Sequence, residues 1–214
     1  MVGLHGLQQI AALCVVLGGA VGHAWAQEAL RYGLSAGGNL SSYVALDRHQ
    51  TSSVPRVGGQ VEAFATLRLW RGLYCQPELG FSLHRSLVTP SAGQTVGEEV
   101  LTTVAIGLPV LFLWGVGLGS GTLWCGGGPY VSWGFRAELG SADQYADPYA
   151  PRPQHMHAWD VGVKALVAYE FSFRMRLGLT AQLGFLDQNP PHYVGGGAHR
   201  ALFAAIGVEG GYVF

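Results

Sequence analysis

Apolar and polar residues alternate with a period of two along most of the chain. Between residues 73 and 83 the odd positions are mostly apolar, whereas the even positions carry Gln76 and Glu78. Residues 159–171 repeat the pattern around Lys164. Successive side chains of a β-strand point to opposite faces, so this alternation predicts strands with one apolar and one polar face. Eight segments share it: about 30–41, 59–70, 73–84, 100–113, 122–136, 157–171, 174–186 and 200–214.

The connections between these segments alternate between long and short. The long connections are 42–58, 85–99, 137–156 and 187–199. The shorter ones are Arg71–Gly72, 114–121 and Ser172–Phe173. Short turns at one end and long loops at the other are typical of transmembrane barrels, and an open sheet would leave unpaired edge amides in a bilayer. We therefore predict an all-β chain that folds as an eight-stranded antiparallel up-and-down transmembrane β-barrel.

The polar face should line the barrel interior, which in an eight-stranded barrel is only wide enough for side chains. Ten charged residues share this face: Arg31, Glu62, Arg68, Glu78, Arg136, Asp160, Lys164, Glu170, Arg176 and Glu209. An unpaired charge is costly to bury, so these five acids and five bases predict a structural charge network in the lumen. One such pairing would join Arg68 to Glu62 or Glu78. Glycines on the same face would make room for it.

The composition supports a membrane location for this barrel. Charged residues make up only 12% of the 214 residues, 33 are glycine, and the formal net charge is −1. Lys164 is the only lysine. A soluble lipocalin-like barrel is the alternative, but its outer face would then be rich in glycine and nearly free of lysine, which weakens strands and solubility. No basic stripe is available to neutralise phosphates, so nucleic acid is not expected as a partner.

The first residues read as a secretory signal peptide. An apolar run, Ile10–Val21, precedes Ala24–Ala26, which has the small-x-small form of a cleavage site. We predict cleavage before Gln27, giving a signal peptide over 1–26 and a barrel domain over 27–214. The alternative is an uncleaved anchor helix, although the apolar run is short for a bilayer.

A second helical alternative concerns residues 101–119, which carry no charge. Pro109 and several glycines within this stretch argue against a transmembrane helix. Aromatic residues near the segment ends also favour the barrel, since they predict two interfacial girdles. Those near the short turns are Trp114, Tyr169, Phe171, Tyr212 and Phe214, and those near the long loops are Trp133, Phe135, Trp159 and Phe185.

Four stretches carry a resemblance to a known family. They are 31–41 (RYGLSAGGNLS), 73–79 (LYCQPEL), 106–111 (IGLPVL) and 207–214 (GVEGGYVF). The chain resembles the PorT-like group of outer-membrane β-barrel domains found in Bacteroidetes-type bacteria, with the Gln-Pro-Glu stretch the most specific part. The resemblance implies residence in the outer membrane of a Gram-negative bacterium and insertion by the barrel assembly machinery, with Tyr212 and Phe214 as the assembly signal. It implies no single activity.

The sequence gives little support for a disulfide or for a catalytic site. Cys75 and Cys125 fall on separate strands with another strand between them, beyond the reach of a disulfide, so we predict free thiols. Ser82 and His84 share a face near the outer rim, and a lipid-modifying enzyme built on them is an alternative, although no orienting group or oxyanion site accompanies them.

Histidines at the long-loop ends are the remaining candidates for a site: His84, His155, His157, His192 and His199. Their spacing does not complete a metal site, so no metal and no cofactor are expected. The glycine runs 126–128 and 195–197 lack the lysine of a phosphate-binding loop.

We expect an integral outer-membrane protein in contact with outer-membrane lipid and no enzyme activity. A structural or interaction role with a plugged interior is the first hypothesis, and a narrow gated channel is the second.

Overall fold

The computed structural model describes residues 30–45, 53–88, 99–140, 157–186, 188 and 201–214. These residues form eight strands. The strands are β1 (Leu30–Ala45), β2 (Ser53–Trp70), β3 (Leu73–Val88), β4 (Glu99–Leu118), β5 (Gly121–Gly140), β6 (Trp159–Glu170), β7 (Met175–Gly184) and β8 (Ala201–Val213). The signal peptide predicted over 1–26 lies outside the described residues and stays a prediction.

The eight strands close into a barrel in sequence order. The last strand returns to the first, and β1 and β8 are antiparallel from Gly33 opposite Val213 to Ala45 opposite Ala201. The predicted eight-stranded antiparallel up-and-down barrel is therefore confirmed. Residues 101–119 lie in β4 and the following turn, so the helical alternative for them is wrong. Within the described ranges, we find no helix with the length and apolar character needed to cross a membrane.

The barrel has a short-turn end and a long-loop end. Arg71 and Gly72 form the turn between β2 and β3 as predicted, with Gly72 at φ 76°. The turn predicted over 114–121 is wrong, because Leu118 still pairs with Gly121 and only Gly119 and Ser120 reverse the chain. Gly119 takes a φ of 62°, which glycine adopts without steric cost. Four of the eight residues in this stretch are glycines, which have no side chain to show an alternation, so the strand could not be predicted through it.

A β-bulge in β5 changes which residues face inward. Val104 of β4 pairs with Arg136 and Ala105 pairs with Gly134, which leaves Phe135 as an extra residue. Beyond the bulge Ala137 is buried, whereas the Arg136 side chain is 66% exposed. The prediction that Arg136 lines the lumen is therefore wrong, because one inserted residue reverses the parity of those that follow.

The two faces of the wall differ sharply in exposure. Leu179 is 61% exposed and Val163 is 45% exposed, whereas Lys164 is 2% exposed and Arg176 is 3% exposed. A soluble barrel would place the leucines and valines inside, so the lipocalin-like alternative is wrong. An apolar exterior around a polar interior is the surface of a barrel that crosses a bilayer, and barrels of this design reside in the outer membrane of Gram-negative bacteria.

Aromatic rings gather at both ends of this exterior. At the long-loop end, Trp133 lies 6.3 Å from Trp159 between ring centroids. At the short-turn end, the Phe214 ring stacks on Tyr32 at 5.5 Å. Such belts sit at the membrane–water interfaces, so the apolar band between them marks the hydrocarbon core.

Candidate functional site: the charged lumen

A buried lysine joins opposite sides of the barrel at mid-height. Lys164 of β6 donates hydrogen bonds from Nζ to Glu62 Oε1 of β2 and to Glu78 Oε2 of β3, each at 2.6 Å. The Lys164 side chain is 1% exposed. Gly80 makes room for this group, since a Cβ there would lie 3.3 Å from Glu62 Cγ. A single ammonium therefore serves two carboxylates, and each of these pairs is charge-assisted.

A polar chain continues from this triad toward the short-turn end. Gln76 donates from Nε2 to Glu78 Oε1 at 2.6 Å, and its own Oε1 accepts from Thr66 at 3.1 Å. Arg176 Nη1 donates to the same Gln76 Oε1 at 3.0 Å. The Arg176 guanidinium also lies 4.8 Å from the centre of the Phe64 ring, a cation–π contact. Its Nε and Nη2 atoms have no hydrogen-bond partner among the residues that the structure describes.

The buried charges of this central layer do not balance. Apart from Asp160, which lies at the long-loop end, the buried carboxylates among the described residues are Glu62, Glu78 and Glu209, and the buried cations are Lys164 and Arg176. Three negative charges against two positive charges leave one negative charge in excess when all are ionised. Glu209 accepts a long hydrogen bond from Gln60 at 3.5 Å, so its charge is less well compensated than those of the triad.

An apolar cluster with polar neighbours fills the lumen at the long-loop end. The cluster consists of Tyr43, Leu101, Ala137, Ala201, Phe203 and Ala205. The His84 ring packs against Phe203 at 4.7 Å between centroids. Beside them Tyr130 donates its hydroxyl to Asp160 at 2.5 Å. Asp160 is thus paired with a phenol and not with a cation.

A second apolar cluster fills the lumen at the short-turn end. It consists of Leu111, Leu113, Trp124, Leu166 and Ala168. Tyr74 meets Trp124 edge to face at 4.8 Å. The indole Nε1 of Trp124 donates to Glu170 at 3.1 Å, and Glu170 also forms an ion pair with Arg31. This pair lies at the short-turn mouth of the barrel.

Two water-sized spaces lie between these layers within the described part of the barrel. A cavity of about 40 Å³ lies at the long-loop end beside Asp160, and one of about 30 Å³ lies next to Glu62. His84, Ser132 and Phe203 border both cavities. Spaces of this size hold a few water molecules, so the interior is filled with side chains.

The predicted lumen residues fall into three groups. Six have buried side chains in the lumen: Glu62, Glu78, Asp160, Lys164, Arg176 and Glu209. Arg31 and Glu170 pair at its short-turn mouth. Arg136 faces outward and pairs with Glu138, while Arg68 is exposed at the end of β2. The lysine, not Arg68, is the partner of Glu62 and Glu78.

The uncharged residues that hydrogen-bond within the lumen charge network were not predicted from the sequence. Gln76 and Thr66 occupy the polar face of their strands, and their positions in the alternation could have placed them in the lumen. The two apolar clusters were missed as well, although Leu166 and Ala168 share the parity of Lys164. Apolar residues at polar positions near strand ends were the indication that the lumen is closed there.

The other candidate groups are dispersed. Cys75 and Cys125 are free thiols on separate strands, as predicted. Ser82 borders the smaller cavity together with His84, but His84 Nδ1 is buried and has no hydrogen-bond partner among the described ranges.

Among the described residues, no group of three histidine, cysteine or acidic side chains is placed to hold a metal. His155, His192 and His199 lie outside the described residues.

Comparison with known proteins gives likenesses of fold only. No family model matches the chain, and no curated protein matches it. Solved structures that resemble it include Neisserial surface protein A, at 8% identity and a TM-score of 0.43, covering 86% of this chain and 97% of that one. Ail of Yersinia pestis, in complex with the heparin analogue sucrose octasulfate, matches at 11% identity and a TM-score of 0.44, covering 87% of this chain and 99% of that one. OprG of Pseudomonas aeruginosa matches at 14% identity and a TM-score of 0.47, covering 86% of this chain and 94% of that one. The strand pairing itself shows that the chain forms a closed barrel, independently of these similarities.

Proposed function

We propose that the chain is a non-conducting outer-membrane barrel with a structural or interaction role, and that its surface at the long-loop end meets its partners. The observation that supports this proposal is the filled lumen. A permeating ion would have to displace the Lys164 triad at mid-height and an apolar cluster at each end. Moving a charge past apolar side chains and splitting a buried ion pair are both costly.

Planar-bilayer recording tests this proposal. The purified protein should give no discrete openings under an applied potential. A variant with smaller side chains in both apolar clusters, Phe203→Ala with Trp124→Ala, is the matched control for insertion, because it should raise the baseline current if barrels are in the bilayer. Discrete openings of the unmodified protein, absent from an empty-detergent control, would contradict the proposal.

A narrow gated channel is the second candidate function. It is favoured by Arg176, which is buried and whose Nε and Nη2 atoms have no hydrogen-bond partner within the described part of the chain. A guanidinium with spare donors can change partners more readily than one that is fully bonded. In that case Arg176→Gln would change the opening probability recorded in the same bilayers, and the unmodified protein would open.

A lipid-modifying enzyme is the third candidate, and Ser82→Ala tests it. Membranes that carry this variant or the unmodified protein should give identical lipid A mass spectra. A modification that depends on Ser82 would contradict the non-enzymatic proposal.

We also propose that the chain belongs to the PorT-like group and is inserted by the barrel assembly machinery. The terminal strand supports this, since the exposed rings of Tyr212 and Phe214 meet edge to face at the end of β8. Replacing Phe214 with Ser should lower the amount of heat-modifiable protein in the outer membrane. Accumulation equal to that of the unmodified chain would contradict the assembly role.

A further inference from the structure

Two arginines lie directly opposite each other on neighbouring strands. Arg56 of β2 pairs in register with Arg85 of β3, and both residues are exposed. Like charges at directly opposed positions of an antiparallel pair destabilise it. Within the described part of the chain, neither guanidinium has a carboxylate within ion-pairing distance. Two arginines at directly opposed positions, without a counter-charge among the described residues, can offer N–H donors together to an anion.

The pair faces outward and not into the lumen. Arg85 has the parity of Phe81 and Leu83, which are exposed, while the intervening His84 is buried. Directly opposed residues of neighbouring strands share a face, so Arg56 points outward as well.

The height of the pair matches the lipid headgroups. Phe81 contacts Phe135 of the long-loop girdle at 5.6 Å between ring centroids. Arg85 lies four residues farther toward the long loops, which is about 13 Å along the strand and about 10 Å in height at the usual strand tilt. The guanidinium groups therefore stand just above the aromatic belt, where the phosphates of a lipid bilayer lie.

The backbone of Arg85 is hydrogen-bonded by a side chain of a third strand. The register of β2 shifts between Arg56 and Gly59. At this bulge Ser41 of β1 accepts a hydrogen bond from the Arg85 amide at 3.0 Å and donates one to the Arg85 carbonyl at 3.0 Å. Bulges re-aim side chains, and a site whose backbone is fixed loses less entropy on binding.

An apolar groove begins beside the arginines. Val57, which follows Arg56, is 68% exposed and forms part of an outer groove of about 540 Å³. The other apolar side chains of the groove are Leu40, Leu179, Ile206 and Val208. A cationic pair next to an apolar groove fits a molecule with a phosphate head and an acyl tail.

We propose that Arg56 and Arg85 bind the phosphate of a lipid headgroup in the outer leaflet, with an acyl chain of that lipid in the adjoining groove. Guanidinium groups recognise phosphate through paired N–H donors. Arg136, the next arginine along the rim, takes no part because Glu138 already neutralises it.

Native mass spectrometry of the barrel released from micelles tests the proposal. The probe is diphosphorylated lipid A, compared with dephosphorylated lipid A and with inorganic phosphate as a competitor. The unmodified protein should retain the phosphorylated lipid, and Arg56→Gln with Arg85→Gln should weaken retention about 30-fold, since each basic residue near a membrane surface contributes about one kcal/mol. Arg68→Gln with Arg71→Gln removes the same charge at the short-turn end and is the matched control.

Four outcomes would overturn the proposal, and the first three concern the test pair and the probes. They are equal retention by the Arg56 and Arg85 double variant, equal retention of the dephosphorylated lipid, and complete displacement by millimolar inorganic phosphate, which would mark a site for the free ion. Heat-modifiable migration of each variant shows that it is folded, so lost binding is not lost structure. Weaker retention in the control pair of the same size as in the test pair would also count against the site.

Discussion

Lys164 Nζ lies 2.6 Å from Glu78 Oε2, and the strands that carry them share no backbone hydrogen bonds. This contact crosses the lumen from β6 to β3. It also specifies strand register, because a slip of one residue would place Lys164 in the hydrocarbon and a neighbouring valine in the lumen. The triad therefore favours the native strand register over registers shifted by one residue.

Removing the lysine should destabilise the barrel strongly. Lys164→Met leaves Glu62 and Glu78 adjacent, buried and uncompensated, and breaking a buried ion pair in this way costs about 3–5 kcal/mol. The measurement is the urea midpoint of unfolding in detergent micelles or lipid vesicles, followed by heat-modifiable migration. The matched control is the triple variant Lys164→Met, Glu62→Gln and Glu78→Gln, which should recover most of the loss. A single variant as stable as the unmodified protein would show that the triad is dispensable.

A charged residue placed on the apolar exterior should lower the free energy of unfolding, and the loss should be larger at the middle of the membrane than near its surface. Leu179 is 61% exposed at the middle of β7, so Leu179→Arg should cost about 2–4 kcal/mol in lipid vesicles. Trp70 is 72% exposed at the short-turn end, and Trp70→Arg there should cost about 0–1 kcal/mol. The unfolding free energies of the two variants are measured in the same vesicles. Equal costs would argue that the exterior does not meet a hydrocarbon layer.

The fold was predictable because every strand repeats the same contrast between hydrocarbon and lumen. Alternation in β6 alone, with Val161 and Val163 outward and Lys164 inward, identifies both faces. Partners within the lumen were not predictable in the same way. The pairing of Lys164 with Glu62 depends on which strands face each other at which height, and that is set by the registers of all the intervening pairs.

Single inserted residues limited the prediction of orientation. Phe135 adds one residue to β5, and the alternation gives no sign of it, since Phe135 and Arg136 read as one apolar and one polar position. Arg136 was therefore placed inside although it lies outside. The same limit applies to the bulge after Arg56, where the structure alone brings the two arginines together.

The thiols provide a test of both strand order and export. Cys75 and Cys125 are unpaired, so alkylation of the unfolded chain should be identical with and without reductant. A chain cleaved before Gln27 should take up two alkyl groups, whereas an uncleaved chain retains Cys14 and should take up three. Intact mass measurement of protein isolated from the outer membrane distinguishes these results. A mass gain that requires reductant would mean a disulfide between β3 and β5, which the observed strand order forbids.

Ser41 should stabilise the wall of the barrel far more than an ordinary surface serine. Its hydroxyl accepts a hydrogen bond from the Arg85 amide and donates one to the Arg85 carbonyl beside the bulge, and Ser41 itself is 1% exposed. Ser41→Ala should therefore cost about 1–3 kcal/mol, because a buried amide and carbonyl lose their partner together. Hydrogen exchange at the Arg85 amide should accelerate while the Leu79 amide, several residues away in the same strand, stays protected. Ser120→Ala, in an exposed turn, is the matched control and should change neither quantity. Unchanged exchange at Arg85 in the Ser41 variant would show that water or a shift of β2 supplies the missing bonds.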